Sequence, residues 1–213
     1  MRRLYGFIIL SMALLPLTGT ARTIADLFAD EPGKIFQLLT RTNRLDMVDY
    51  YNNGQKVDQQ NNLAGTSKLS ELDSAYLKVQ TSASKTVEMR LLTPGRDTVI
   101  IVIETVLTPV PDSRLTVWNQ QWQQLKTEKH FKMPKIDDFI DKNMPRELRA
   151  DLHDAMVFPL IQLAFQGEKH DEIVATHGLE QFLVPDEYKR FASHLKPSLT
   201  YRINGNKIKP VKK

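Results

Sequence analysis

At 213 residues, 41% of them apolar and 25% charged, the chain has the make-up of a folded domain, which excludes global disorder. It contains no cysteine, which excludes disulfides, thiol catalysis, thiolate metal sites and lipid-modified cysteines. A net charge of +4 and a pI near 9.2 invite a polyanion partner, but the excess is small and sits mostly at the two ends of the chain.

Met1-Arg2-Arg3, an apolar run from Leu4 to Leu17, and Thr18-Gly19-Thr20-Ala21 have the three-part layout of a secretory signal peptide. The apolar run is about 14 residues long and contains Gly6 and Pro16, whereas a membrane span needs roughly 20. The expectation is a leader cleaved after Ala21, a mature chain starting at Arg22, and a periplasmic or secreted product that is not a lipoprotein. No transmembrane segment is expected after that cut, because Val99 to Ile103 and Val157 to Phe165 are too short to span. Loss of Arg2 and Arg3 removes half of the net positive charge. The remaining excess, Lys207, Lys209, Lys212 and Lys213, reads as a frayed, solvated tail. With no nucleic-acid motif, no DNA or RNA partner is expected.

The mature chain divides into 22–125 and 126–213, two halves expected to form one compact unit. Thr23 to Ala29 carries Ile24, Leu27 and Phe28 at helical spacing; Pro32 interrupts, and Lys34 to Thr40 resumes the helix. Asn43 is read as the N-cap of a second helix with Asp46 three positions on, Leu45, Val48 and Tyr51 as its buried stripe, and Gly54 as its stop. Residues 55–67 read as a loop. Alternation predicts strands over Leu77 to Thr81 and Val87 to Leu91, a turn at Pro94-Gly95-Arg96-Asp97, and a strand over Thr98 to Val106 that is apolar on both faces. A fourth strand, Arg114 to Asn119, turns Leu115 and Val117 inward and Trp118 outward, completing an antiparallel meander.

Charged residues 124–135 lead into the second half. Ile136 to Asp154 reads as helical around Pro145, Met156 to Gln166 as a strand, Gly167 to Asp171 as a hairpin turn and Glu172 to His177 as its partner. Val184-Pro185-Asp186 opens a helix, since proline suits the first turn and an acid the positive helix end. Leu199 to Ile203 is the last predicted strand, followed by an Asn204-Gly205 turn. The fold class is α+β: an antiparallel sheet, or two small apposed sheets, with helices packed mainly on one side.

The stretch Phe28 to Gly54, with Pro32, Leu38-Leu39 and Asn43-Arg44-Leu45-Asp46-Met47-Val48-Asp49-Tyr50-Tyr51, resembles the N-terminal signature of an uncharacterised family of small secreted proteins of Bacteroidetes-type bacteria. Ser67 to Leu72, Met89-Arg90-Leu91-Leu92 and Asp112-Ser113-Arg114 extend the resemblance over most of the mature chain. It implies an envelope location and brings no activity, substrate or site residue.

Candidate chemistry is sparse. Asp46 and Asp49 share a helix face and offer paired carboxylates, though the spacing does not suit a calcium loop. His153 is flanked by Asp151 and Asp154, but no His-x-x-x-His pair supports zinc. Asp137, Asp138 and Asp141 fit a helix N-terminus. Glycine-rich phosphate loops and a nucleophile elbow are absent from the sequence, so no cofactor is expected. Trp118 and Trp122, four residues apart, would suit sugar stacking or a protein partner if exposed, and burial under a helix otherwise. The leading expectation is a non-catalytic envelope protein binding a protein or glycan. The alternatives are a hydrolase using Asp46, Asp49 and His153, and a small apolar-ligand carrier with a cleft between sheet and helices.

Overall fold

The computed structural model describes residues 22–55, 57–92, 98–156, 158 and 160–211. The expected leader, the turn at Pro94-Gly95-Arg96-Asp97, Val157, and Lys212 with Lys213 lie outside the described residues. The strands form two antiparallel sheets, as the α+β reading expects. In the first, β1 (Gln59–Gln60), β2 (Thr66–Leu72), β3 (Tyr76–Ser82), β4 (Lys85–Leu92), β5 (Val99–Val106) and β6 (Asp112–Asn119) lie side by side in chain order. In the second, β7 (Ile161–Gln166), β8 (Glu172–His177), β9 (Ser198–Asn204) and β10 (Lys207–Pro210) follow the same simple order. The helices are α1 (Ile24–Ala29), α2 (Arg41–Asn52), α3 (Ile136–Phe139), α4 (Arg146–Ala155), α5 (Leu179–Phe182) and α6 (Pro185–Ala192).

The first sheet is covered on both faces because its central strands are apolar at successive positions. Ile101 and Ile103 of β5 join Val117, Phe139, Leu152, Leu163, Ile173 and Phe191 in a core shared with the second sheet and its helices. Ile100 and Val102, one residue out of phase, point the other way and meet Leu77, Met89, Leu27, Phe28 and Phe36 under α1 and α2. Each fully buried side chain of this size contributes about 2 kcal/mol relative to exposure. The shared core draws on residues from both sides of position 125.

Where the structure departs from the sequence reading, a polar group has captured the backbone. Lys34 to Thr40 is not a helix. The buried Glu31 carboxylate accepts the amides of Gly33, Lys34, Ile35 and Phe36 at 2.9, 2.6, 3.0 and 3.3 Å, which fixes the connector in an irregular loop. Arg44, also buried, lies 3.9 Å from Glu31 and donates to the carbonyls of Ala29, Glu31 and Leu39. Thr40, not Asn43, caps α2: its Oγ1 accepts from Asn43 N at 3.1 Å while Asn43 Oδ1 accepts from Thr40 N at 3.0 Å. The inner face of α2 therefore centres on Arg44 and Met47; of the expected stripe, Val48 and Tyr51 pack partly buried against the same core, while Leu45 is 42% exposed. Gly54 takes the left-handed conformation expected of the stop, at φ 72°.

Three strands were not expected. Part of the polar stretch 55–67 pairs as β1 and the start of β2, where Ser67 is buried and donates from its hydroxyl to Thr81 O at 2.7 Å. The described part of the basic tail is ordered as β10, paired with β9 across the Asn204-Gly205 turn. Pro145 divides the helix expected over Ile136 to Asp154 into α3 and α4, and β7 begins only at Ile161. The short α5 lies between the predicted strand ending at His177 and the predicted helix opening at Val184.

Both edges of the second sheet are closed. On β7 the amides of Ile161, Leu163 and Phe165 donate to Asp112 Oδ1, Ser113 Oγ and Glu88 Oε2 of the first sheet at 3.1, 2.9 and 3.1 Å. On β10 Ile208 N donates to His130 O at 2.8 Å, and Pro210 has no amide to offer. Side-chain and loop acceptors thus occupy the positions where a further strand would pair.

Candidate functional site

The sequence candidates do not converge. Asp46 is half-buried and Asp49 exposed on α2, where Asp49 Oδ1 accepts from Asn53 Nδ2 at 3.2 Å. His153 sits on α4 with its Nε2 3.1 Å from Asp137 Oδ1, both side chains largely in solvent. The helix α2 packs on the outer face of the first sheet and α4 on its inner face, so the sheet separates the carboxylate pair from the histidine. Asp138, expected at a helix start, accepts there from Lys135 N at 2.8 Å.

Trp118 and Trp122 are 7% and 3% exposed and pack edge-on, their ring centroids 5.9 Å apart. Trp118 does point away from Leu115 and Val117, but α1 and the connector after it cover that face. Lys34 lies 5.6 Å over the Trp118 ring and donates to Trp122 O at 3.1 Å, holding the connector down. Neither indole offers a face to a sugar.

A cluster that the sequence reading missed joins the two halves. His170, at φ 49° in the β7–β8 turn, stacks on Tyr76 at 3.6 Å with its Nδ1 3.4 Å from Asp73 Oδ2 and its Nε2 3.7 Å from Glu71 Oε2. Arg90 Nε donates to His170 O at 3.3 Å. The Tyr76 hydroxyl is committed to Glu88 at 3.0 Å, and burial, with Glu88 beside it, pushes the phenol far above its ordinary value. This arrangement clamps the hairpin tip to the first sheet. Among the described residues no group of three or more His, Asp and Glu is placed to hold a metal ion.

An apolar concavity with ligand-sized dimensions lies elsewhere, between the β9–β10 face and the segment from Lys132 through α3. It measures about 710 Å³, within the usual range of small-molecule sites. Leu199, Tyr201 and Ile208 belong to or pack on the shared core and also line this groove, so it is a continuation of that core left open to solvent. Pro197, Pro210, Met133 and Val211 add apolar surface, and the last two are 36% and 38% exposed. Lys132, Lys196, Asp138, Ser198 and Thr200 supply the polar rim. Burial, and then Asp138, push the Tyr201 phenol up to about 12, so the hydroxyl stays a neutral donor at physiological pH.

The family model described as a protein of unknown function, DUF3256, matches residues 17–208. The chain belongs to this family. Among solved structures, a domain of an uncharacterized protein from Porphyromonas gingivalis W83 superposes with a TM-score of 0.76 at 25% identity. The match covers 87% of this chain and 97% of that one. No curated protein matches the chain. Membership thus supplies a shared architecture across nearly the whole described chain and leaves the function to be argued from the groove. Among the described residues no helix is long and apolar enough to cross a membrane.

Proposed function

We propose that this chain is an exported, non-catalytic binding protein of the cell envelope, and that the groove over β9 and β10 carries a small apolar ligand. Its open, apolar floor is the observation that carries the reading. A core of this quality elsewhere excludes water, yet here Met133 and Val211 remain partly in solvent beside Tyr201 and Ile208. Export is supported by the leader-like first 21 residues, and N-terminal sequencing of the envelope fraction should return Arg22. The glycan partner of the leading expectation loses its support with the burial of both tryptophans, and the hydrolase alternative with the separation of Asp46 and Asp49 from His153.

The test is binding of a neutral environment-sensitive dye, N-phenyl-1-naphthylamine, to the protein from Arg22 onward. Saturable fluorescence enhancement is expected, and Met133→Arg should weaken it by at least tenfold without altering the circular dichroism spectrum. Dye binding that survives Met133→Arg and Val211→Arg unchanged would place the ligand elsewhere.

A further inference from the structure

The rim of the groove gives its ligand a charge, and the geometry points to an anionic amphiphile: an acyl-type chain on the apolar floor with a carboxylate-like head between Lys132 and Lys196. This rests on the reading of the groove as the binding site and goes further by naming the ligand class.

Charge is the first argument. Lys132 and Lys196 both line the groove and are exposed, against the single carboxylate of Asp138. That carboxylate is tethered, because Asp138 Oδ2 accepts from Lys135 N at 2.8 Å in the helix cap. Lys196 Nζ donates to the main-chain oxygen of Asp138 at 3.1 Å, which leaves its remaining N–H groups for a ligand. The Tyr201 hydroxyl, kept neutral, adds a donor and no competing negative charge. The rim therefore presents more donors and positive charge than acceptors.

Closure of the other binding modes is the second argument. A peptide joining by strand addition needs a free ladder edge, and β10 has none, since Ile208 N is taken by His130 O and Pro210 lacks an amide. A sugar needs an open aromatic face, whereas Tyr201 is 7% exposed and packs edge-on to Phe131 at 5.2 Å. What remains compatible with an apolar floor is a flexible hydrocarbon, which needs contact and no directional partner along its length.

Displacement of N-phenyl-1-naphthylamine by three twelve-carbon probes tests this: dodecanoate, 1-dodecanol and dodecyltrimethylammonium, all below their aggregation limits. Dodecanoate should displace the dye about tenfold more tightly than the alcohol, the effect expected of a charge-assisted hydrogen bond, and the cation should be weakest. Lys132→Gln combined with Lys196→Gln should erase the advantage of dodecanoate and leave the alcohol unchanged. Added salt should narrow the same gap. Equal displacement by all three probes, or a dodecanoate preference that survives the double variant, overturns the anionic head while the groove stands. Failure of the dye itself to bind overturns the groove as the site, and that result is read before any probe is added.

Discussion

The outer face of the first sheet and the β9–β10 face of the second are both apolar surfaces at the margin of a core, and they are finished in opposite ways. Over the first sheet, α1, α2 and their connector cover the apolar surface, and a buried Glu31–Arg44 pair held by main-chain hydrogen bonds anchors the cover. Over the second, the cover stops short and leaves a groove with lysines on its rim. A cover that needs a buried Glu31 and Arg44 is expensive to build and serves structure. The uncovered stretch, lined partly by side chains that remain exposed, is where binding can occur without disturbing the fold.

Removing the anchor should show the largest effect. Glu31→Ala leaves four amides without their acceptor and the buried Arg44 guanidinium without its counter-charge, and should cost about 3–5 kcal/mol in urea unfolding. A loss below about 1 kcal/mol would show that water replaces the carboxylate and that the sealed face is no different from the open one. Gly178→Ala comes next. A methyl group there would sit 2.3 Å from Val110 Cγ1 and close to Leu160, so overpacking should cost about 1–3 kcal/mol at the join between the halves.

Acid should act on the second half in particular. Burial lowers the pKa of His177 below its ordinary 6.5, and its ring meets Phe139 edge-on at 5.3 Å. The unfolded chain therefore binds this proton more readily than the folded one. The contribution is intact above pH 6.5 and is lost progressively as the pH falls from there through the lowered folded value. His177→Phe should flatten that part of the stability–pH curve, and an unchanged slope would assign the acid sensitivity to other groups. The smallest stability change belongs to the groove: Met133→Arg should shift unfolding by no more than about 0.5 kcal/mol while dye binding falls. A large destabilisation would mean that the groove belongs to the core after all.

The same contrast explains what could be read from the sequence. The strands β3 to β6 were legible because Leu77, Val79, Val87, Met89 and the Val/Ile run of β5 repeat with a two-residue or continuous apolar pattern that packing then satisfies. The connector after α1 was misread because Ile35, Phe36, Leu38 and Leu39 imitate a helical stripe, while the deciding partner, Glu31, acts through main-chain amides that leave no periodic trace. Strand β2 was hidden because one of its inward positions is Ser67, and β10 because Lys207 and Lys209 looked like a solvated tail although Ile208 between them is buried. The groove was not legible at all. It is assembled from Met133, Lys196, Tyr201 and Ile208, which only the tertiary fold brings together. The stacking of His170, within the predicted Gly167 to Asp171 turn, on Tyr76 across 94 positions of sequence has no local signature.

The closed edges of the second sheet set the terms on which copies of this protein can meet. With the outward amides of β7 spent on Asp112, Ser113 and Glu88, and those of β10 spent on His130 or absent at Pro210, neither side can be lengthened by a neighbour's backbone. Crowding the protein should therefore not drive it into ladders or fibres through this sheet. Contacts made there must be written in side chains, which one substitution can erase.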